Sequence, residues 1–349
     1  MQEQRRASVK DIASKLHISL STVHKALTGK PGISEARRRQ VIETAEEMGY
    51  VVNTVAQTLS RRSMNIGVIL PSMWQEYFLQ LKNGIEKQID SMQEYKVNGM
   101  YYVIPASPSS SEAERIKNWL LNNRIEAVLY CASNYLINNV ARQALAPSEC
   151  PVFWIGGSTD VAMSVSNITI DAGLTGKIAA DFICCTAASG IKAAVFTGSM
   201  KTDIHKSKTD AFCHRMQENG AEVLAVYETE DDPESARIAV DKLFKTHSDV
   251  NAVYVSTSTS EPICRYLEEN HLEGRITLLG TDLFDILKDY MKKGIMKATI
   301  SQNQEEVGRL AAVSAYEYLH KMNTYGNADW KPERLILVKP TLLLRANIE

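Results

Sequence analysis

Two adjacent segments near the start of the chain, residues 9–16 (VKDIASKL) and residues 18–27 (ISLSTVHKAL), decide the fold of the first domain. In the first segment the apolar residues follow the i, i+3, i+4, i+7 spacing of one helix face. Ser8 and Asp11 have the spacing of a capping box, which marks the beginning of a helix. The pattern therefore predicts a capped amphipathic helix that is closely followed by a second one.

The second segment predicts a helix that begins at a polar cap and buries one apolar stripe. Ser19 can accept the backbone hydrogen bond that caps this helix. Its apolar stripe consists of Val23, Ala26 and Leu27. Because only residues 17 and 18 separate the two helices, they must cross at a steep angle. This layout is typical of a helix-turn-helix, whose second helix enters the major groove of DNA; the alternative is an ordinary helical hairpin.

A third helix is predicted after the turn-forming loop of residues 28–32 (TGKPG). Ser34 can cap it, and Glu35 places an acid in the first turn, near the positive end of the helix dipole. Its inner face consists of Val41, Ile42, Ala45 and Met48. Residues 53–60 (NTVAQTLS) follow, and this segment is too short to be a stable helix alone.

The order of these elements from Val9 to Leu59, including "LTGKPGIS" and "EEMGY", resembles the DNA-binding headpiece of LacI/GalR-type bacterial repressors. The resemblance implies that residues 19–27 enter the major groove. It also implies a hinge helix at residues 55–59 in the minor groove, where Leu59 would be the wedge that opens a base step. The DNA-contacting residues that it implies are Ser8, Ser19, Leu20, Ser21, Thr22, His24, Lys25, Asn53, Ala56 and Leu59.

Three departures from the family pattern affect this prediction. His17 occupies a turn position where the family usually has glycine, so we expect a positive φ there at some cost. His24 and Lys25 replace a frequent Ser-Arg pair, and lysine is a point charge where arginine grips guanine at two points. Gln57 replaces an arginine in the hinge. The sequence predicts that the helix at residues 19–27 enters the major groove, but it does not predict which operator bases this helix recognises.

The charge distribution agrees with a separate DNA-binding end. Residues 1–62 carry 11 Lys and Arg against 6 Asp and Glu, a net charge of +5, although the whole chain has −2. A basic head on an acidic body is expected when one end alone meets phosphate. The densest basic run, residues 37–39, cannot point one way on a helix, so part of it is predicted to be merely solvated.

The length and composition of the chain limit the classes of protein to which it can belong. With 349 residues and 44% hydrophobic content, the chain can form two or three domains with real cores. There is no apolar run of about 18 residues and no apolar signal core after the amino end MQEQRR, so we expect a cytoplasmic protein without a membrane partner. The six cysteines lack CxxC spacing, which favours idle thiols over a disulfide framework or a metal site; neither a metal nor a cofactor is predicted.

From residue 64 onward, short Val- and Ile-rich runs alternate with amphipathic helices, a pattern typical of parallel α/β layers. The first series of predicted strands is 66–70, 100–104, 127–131 and 152–155, and the second is 193–197, 223–227, 252–255 and 276–279. Residues 298–301, a helix from Gln304 to about His320, and residues 335–338 are predicted as crossovers and returns. Two successive doubly wound parallel sheets form two lobes, with a ligand cleft at the carboxyl ends of the strands.

No enzyme motif lies on this scaffold: GxGxxG after a strand, a Walker loop, HExxH and GxSxG do not occur. A two-lobed cleft without a catalytic group is more economically interpreted as a binding module. One rival is a sugar-binding receptor without a gene-regulatory role, which would need a signal peptide and no DNA headpiece. Another is an α/β enzyme fused to a DNA-binding domain.

This body resembles the periplasmic-binding-protein-like effector domain of LacI/GalR regulators, most distinctively in "LLGTDLFDILKDYMKKGIMKATISQNQEEVGRLA". The predicted division is a small all-α helix-turn-helix domain at 1–52, a hinge at 53–63 and the effector domain at 64–349. Its first lobe is predicted at about 64–171 and 303–332, and its second at about 172–302 and 333–349. The effector-binding residues that the resemblance implies are Trp74, Tyr77, Phe78, His205, Lys208, Thr257, Asp282 and Gln302.

Among these, Asp282 is implied to accept hydrogen bonds from two sugar hydroxyls, because a carboxylate offers the two acceptors of a vicinal diol. Trp74, Tyr77 or Phe78 could stack on a sugar face, although an aromatic pair at a helix start is often only core. Thr257 and Ser258 replace the family's usual Asn-Asp, which removes a carboxylate and leaves Lys208. This balance favours a ligand with an anionic group, such as a sugar acid or a phosphate, over a plain neutral sugar. The expected effector is a monosaccharide or a sugar acid, and the expected assembly is a homodimer on a palindromic operator in double-stranded DNA.

Overall fold

The computed structural model describes residues 7–27, 32–48, 50, 63–72, 75–157, 163–187, 190–325 and 332–348. Of residues 46, 75, 324 and 325 it describes the backbone alone. Residues 53–62 of the predicted hinge (53–63) and Gly49, the expected end of the third helix, lie outside the described residues.

Three helices form the amino-terminal domain: α1 (Val9–Leu16), α2 (Leu20–Leu27) and α3 (Glu35–Glu47). Its buried core consists of Ile12, Ala13, Val23, Ala26, Val41 and Ala45. The predicted capping box is confirmed, because the Ser8 backbone N donates to Asp11 Oδ2 at 2.8 Å and the Asp11 N donates to Ser8 Oγ at 3.3 Å. The local signals of the sequence therefore produce the predicted helix-turn-helix.

His17 ends α1 in the left-handed conformation, with φ 50° and ψ 45°. Its backbone N–H reaches back to the carbonyl oxygens of Ala13 and Ser14, which closes the last turn of the helix. The expectation of a positive φ at this position is confirmed. A histidine here carries a conformational cost that glycine would avoid.

The first lobe contains a six-stranded, wholly parallel sheet in the order β11-β5-β4-β3-β1-β2. Its strands are β1 (Met64–Pro71), β2 (Val97–Ile104), β3 (Ala127–Cys131), β4 (Val152–Ile155), β5 (Ser164–Ile170) and β11 (Leu335–Val338). Its helices are α4 (Gln75–Ser91), α5 (Glu112–Asn122), α6 (Tyr135–Leu145) and α12 (Gln304–Tyr325), with a short 3₁₀ helix at Gln93–Tyr95.

The second lobe repeats this plan in the order β12-β10-β9-β8-β6-β7. Its strands are β6 (Lys192–Thr197), β7 (Glu222–Glu228), β8 (Ala252–Val255), β9 (Thr277–Thr281), β10 (Met296–Ser301) and β12 (Thr341–Leu344). Its helices are α7 (Ala172–Thr186), α8 (Asp203–Glu218), α9 (Pro233–Thr246), α10 (Ser260–Glu269) and α11 (Asp285–Lys292), and a 3₁₀ helix at Arg345–Asn347 follows β12. The strand β12 runs antiparallel to β10. A parallel sheet was predicted here, and the observed sheet is parallel except for this edge strand.

The chain passes between the lobes three times, after β5, after β10 and after β11. The prediction that the second lobe resumes at residue 333 is wrong, because β11 pairs with β5 of the first lobe. The last passage lies instead between Val338 and Thr341. Two strands were also missed: β5 (SVSNITI) includes buried polar residues, and β12 (TLLL) is only four residues long.

Glycines allow the helices that carry cleft residues to pack at close range. A Cβ on Gly176 of α7 would lie 2.2 Å from the carbonyl oxygen of Lys208 on α8. A Cβ on Gly84 of α4 would lie 2.0 Å from the carbonyl oxygen of Glu305 on α12. Each lobe therefore holds one helix pair at a spacing that a larger residue would not allow.

Among the residues that the structure describes, no helix is long and apolar enough to cross a membrane. Within the same part of the chain, no three His, Cys, Asp or Glu side chains form a potential metal-ion site. The six cysteines are free thiols.

Candidate functional site

A cavity of about 720 Å³ lies between the two lobes. The loops that follow β3 and β4 line it from the first lobe, and those that follow β6, β7, β8 and β9 line it from the second. The structure brings together these predicted effector-binding residues along the cavity: Tyr77, Phe78, His205, Lys208, Thr257, Asp282 and Gln302. The remaining one, Trp74, lies outside the described residues.

Asp282 lies at the base of the cleft, 1% exposed, with a φ of 64° directly after β9. Its Oδ1 accepts hydrogen bonds from Gln304 Nε2 at 2.6 Å and from the Gln302 backbone N at 3.4 Å. Its Oδ2 accepts from Gln302 Nε2 at 2.8 Å. Burial raises the pKa of this carboxyl, and the hydrogen bonds from Gln302 and the nearby Lys208 charge act against that rise.

Lys208 is buried beside this carboxylate and is already bonded to the protein. Its Nζ donates to the carbonyl oxygen of Ser256 at 2.7 Å and to Gln302 Oε1 at 3.4 Å. Desolvation lowers the pKa of Lys208, while the charges of Asp282 and Asp231 act in the opposite direction. Since an ammonium has three donors, at most one remains for a ligand.

His205 faces Asp231 across the cleft wall, with Nε2 and Oδ2 3.2 Å apart. Its Nδ1 is buried and has no hydrogen-bond partner among the described residues. The ring packs against the backbone at Gly198, where a Cβ would lie 2.6 Å from the histidine Nε2. Glu230 and Asp231 both have a positive φ and line the cavity, so they bring two carboxylates that the sequence did not predict there.

The aromatic pair at the start of α4 divides between cleft and core. The rings of Tyr77 and Phe78 meet edge to face with centroids 5.1 Å apart. Phe78 is buried in the core of the first lobe, whereas Tyr77 is half-buried at its margin. Burial, followed by the charge of Asp282, raises the pKa of Tyr77, which keeps its hydroxyl neutral and available as a donor.

Thr257 is 2% exposed, and its hydroxyl lies 2.7 Å from that of Thr259. It therefore helps to hold the loop after β8 in shape, in addition to lining the cavity.

In the amino-terminal domain, α2 presents a mixed surface to solvent. Leu20 is 47% exposed, Ser21 and His24 are exposed, and Lys25 is half-buried. The Ser19 and Thr22 hydroxyls lie 2.8 Å apart, and Ser19 Oγ also caps the helix by accepting from the Thr22 N at 3.1 Å.

Within the part of the chain that the structure describes, Arg38 is the member of the basic run that contacts another helix. Its Nη1 donates to the carbonyl oxygens of Lys25 and Ala26 at 3.3 Å, which satisfies the carboxyl end of α2. The Ser8 hydroxyl donates to Asp11 at 2.6 Å. The other three predicted DNA-contacting residues, Asn53, Ala56 and Leu59, lie outside the described residues.

The comparison with family models settles the class of the larger domain, because residues 66–322 match the model of the periplasmic binding protein domain. The chain belongs to this family. It is also 27% identical over 256 residues to catabolite control protein A from Priestia megaterium, across 72% of this chain and 74% of that protein. The HTH-type transcriptional regulator pepR1 from Lactobacillus delbrueckii subsp. lactis is 27% identical over 154 residues, or 44% of each chain.

Solved structures of this fold agree. The lac repressor dimer bound to operator and the anti-inducer ONPF superposes with a TM-score of 0.63 at 15% identity, across 97% of this chain and 98% of that one. The periplasmic ribose ABC transporter protein from Conexibacter woesei DSM 14684 gives 0.68 at 18% identity, across 82% of this chain and 93% of that one. The resemblance to LacI/GalR-type transcriptional regulators is thereby confirmed.

Several residues of this periplasmic-binding-protein cleft were missed in the sequence. In the first lobe they follow β3, namely Ser133, Asn134, Tyr135, Asn138 and Arg142. In the second lobe they include Ser199, Lys201 and Thr202 after β6, and Glu230 and Asp231 after β7. The available signal was position, since polar residues directly after a buried parallel strand lie at the edge where ligands bind. Gln304 had no such signal, because it begins a helix of the other lobe.

Proposed function

We propose that this protein is a transcriptional regulator whose affinity for a palindromic operator is controlled by a small sugar bound between its two lobes. One observation carries the proposal: a helix-turn-helix with an exposed second helix and a two-lobed polar cleft occur in the same chain. The names of its relatives describe transcriptional control, and that of a structural neighbour describes a repressor dimer on operator DNA. Such a protein would work in the cytoplasm, beside the DNA.

DNA contact is proposed through α2, with the hinge at 53–63 reaching the minor groove. The exposed Leu20 can contact a thymine methyl group, and Ser21 or His24 can hydrogen-bond a base edge. Lys25 supplies a positive charge for phosphate or guanine. A homodimer would place two such helices about one turn of the duplex apart, which is why a palindrome is expected.

For the effector, the cleft supports a neutral monosaccharide first. Three carboxylates line the cavity, Glu230, Asp231 and Asp282, and Lys208 is already engaged with Ser256 and Gln302. These groups accept hydrogen bonds from sugar hydroxyls and repel an anion. A sugar acid is the second candidate, because Lys201 lines the cavity and has no ion-pair partner among the described residues.

Control of DNA binding would follow from closure of the lobes. A sugar that contacts both lobes changes the angle at the three crossovers, and in a dimer this alters the spacing of the two hinges. Coupling of this kind is usually worth about 1–3 kcal/mol, which changes operator affinity by roughly 5- to 150-fold.

The proposal is tested by selection from a pool of random DNA duplexes with the purified full chain, at two salt concentrations. A recovered palindrome supports the helix-turn-helix, the dimer and the hinge together. Binding without a consensus that disappears at the higher salt contradicts sequence-specific recognition, unless adding sugars restores a consensus. The selection is therefore repeated with a mixture of neutral sugars and sugar acids.

The effector class is tested by calorimetric titration with D-ribose, D-glucose and D-gluconate. Binding of a neutral sugar but not of gluconate supports the first candidate, and the reverse supports the second. Binding of either without any change in operator affinity would instead support a sugar-binding receptor without a gene-regulatory role. Turnover of the bound sugar would support the enzyme alternative.

A further inference from the structure

The carboxylate at the base of the cleft is bonded to both lobes. Asp282 follows β9 in the second lobe, and its Oδ1 accepts a hydrogen bond from the side-chain amide of Gln304 at 2.6 Å. Gln304 is the first residue of α12, which belongs to the first lobe. Both side chains are buried, at 1% and 2% exposure.

The start of α12 is firmly attached to the first lobe. The backbone of Glu305 packs against Gly84 of α4, where even a Cβ would lie 2.0 Å away. The Glu305 side chain pairs with Lys87 of the same helix at 2.8 Å. Because its neighbour is held in this way, Gln304 moves with the first lobe, and its bond to Asp282 joins the two lobes at the base of the cleft.

Asp282 has little acceptor capacity left for a sugar. A carboxylate offers about four lone-pair sites. Two donors from Gln302 and one from Gln304 already occupy three of them. A ligand that donates two hydroxyls to Asp282 must therefore displace one protein donor. Gln302 also donates to Asp282 through its backbone N–H, and its amide oxygen accepts from Lys208 at 3.4 Å, so two further hydrogen bonds hold this residue in place. Gln304 is therefore the partner that can leave.

We infer that Gln304 is a displaceable latch between the lobes, which competes with the sugar for Asp282 and transmits sugar binding to the first lobe. This inference rests on the proposed function. Gln304 is then a positioning residue and not a ligand contact. When the sugar hydroxyl takes its place on Oδ1, the direct bond between the cleft and α12 is broken and the lobes can rotate about the crossovers. A ligand that bound equally well whether the Gln304–Asp282 hydrogen bond was formed or broken could not shift the equilibrium between the two arrangements of the lobes.

The second crossover, which follows β10, keeps its hydrogen bonds to the third crossover during such a rotation. Asn303, with a φ of 51°, lies between the two glutamines. Its Nδ2 donates to the carbonyl oxygen of Lys339 at 2.7 Å and to Thr341 Oγ1 at 3.0 Å, which ties the second crossover to the third. None of these bonds involves Asp282, so they persist when Gln304 is released.

The test compares the wild-type dimer with Gln304→Met, which keeps the length and apolar volume of the side chain but removes its donor. Calorimetric titration uses D-ribose, D-glucose and D-gluconate. We expect about tenfold tighter sugar binding, since the competing bond to a charged acceptor is gone. We also expect the ratio of operator affinities with and without saturating sugar to move toward one. Gln304→Ala is the second variant if Gln304→Met does not fold.

Glu306→Gln is the matched control: it removes the ion pair to Arg309 on the same helix, which takes no part in holding α12 to α4 and lies outside the cleft. Its sugar affinity and its operator response should equal those of the wild type. A merely structural role of Gln304 predicts weaker sugar binding in Gln304→Met, and that result would overturn the latch. Unchanged affinity together with an unchanged operator response would overturn it too.

A readout without sugar separates this inference from the proposed function. In the free protein, loss of the latch should speed hydrogen exchange of the backbone amides of residues 302–307 in Gln304→Met, relative to wild type and Glu306→Gln. If wild type binds none of the three probes, the proposed effector class fails. In that case faster exchange still supports the latch, and unchanged exchange overturns it.

Discussion

Replacing Asp282 by asparagine tests whether the cleft acts through a charged acceptor. In the wild type both carboxylate oxygens accept from glutamine amides, Oδ1 from Gln304 at 2.6 Å and Oδ2 from Gln302 at 2.8 Å. Asparagine offers one oxygen and one NH₂ group, so one glutamine amide must face a donor. Gln302 cannot turn its amide round, because its oxygen accepts from Lys208. The asparagine oxygen therefore stays toward Gln302, and Gln304 must turn or lose its bond.

The loss of sugar affinity follows from this geometry. A hydrogen bond to a charged group contributes about 1.5–3 kcal/mol and one between neutral groups about 0.5–1.5 kcal/mol. For two sugar hydroxyls on Asp282, Asp282→Asn should cost about 2–3 kcal/mol, or a roughly 30- to 150-fold increase in Kd. Operator binding without sugar should be retained, since every residue of the helix-turn-helix is unchanged.

The assay is calorimetric titration with the sugar that binds the wild type, followed by operator binding with and without it. Asp285→Asn is the matched control, because this exposed carboxylate begins α11 and pairs only with Lys288 at 2.8 Å among its described contacts. It should leave the Kd unchanged. If folded Asp282→Asn binds the sugar within threefold of wild type, Asp282 does not accept the sugar hydroxyls and the assignment of the cleft is wrong.

Three further substitutions test other parts of the molecule. Lys25→Ala should weaken operator binding and reduce the salt slope by about one, and unchanged affinity would remove Lys25 from the DNA surface. Leu59→Ala should lower specific more than non-specific DNA affinity, whereas equal losses would argue against a wedge. Gly176→Ala puts a Cβ 2.2 Å from the Lys208 carbonyl and should cost about 1–3 kcal/mol in denaturant unfolding, with weaker sugar binding. Gly173→Ala on the same helix, where the nearest atom is 3.7 Å away, should be tolerated, and equal stability of the two variants would refute the packing argument.

The caps and the turn of the amino-terminal domain were predictable because each of these signals acts within a few residues, whereas Ile42, predicted on the inner face of α3, is 39% exposed. The Ser8–Asp11 capping box, the Ser19 cap and the left-handed His17 all occur where the sequence places them. These interactions span three or four residues, so they do not depend on how the rest of the chain packs.

In the larger domain the sequence predicted the strands better than their assignment to sheets. The strands at 127–131, 152–155, 252–255 and 335–338 have the predicted limits. A strand is recognised from its own apolar run, but the sheet it joins depends on a distant partner: Leu335 pairs with Asn167. Because of that pairing, β11 belongs to the first lobe, contrary to the prediction. Of the last two strands, β12 is the one that belongs to the second lobe.

By itself, the sequence determined the helix-turn-helix and the alternating α/β pattern, and its resemblance to LacI/GalR-type regulators implied Asp282, Gln302 and Lys208 as members of one cleft. Only the tertiary structure decided what these residues bond to. It showed that Lys208 is largely engaged, that Glu230 and Asp231 complete the cleft wall, and that Gln304 reaches across from the other lobe. The physical reason is that periodicities of 2 and 3.6 residues report which face of an element is buried, whereas a hydrogen bond between lobes depends on how two independently folded sheets are brought together.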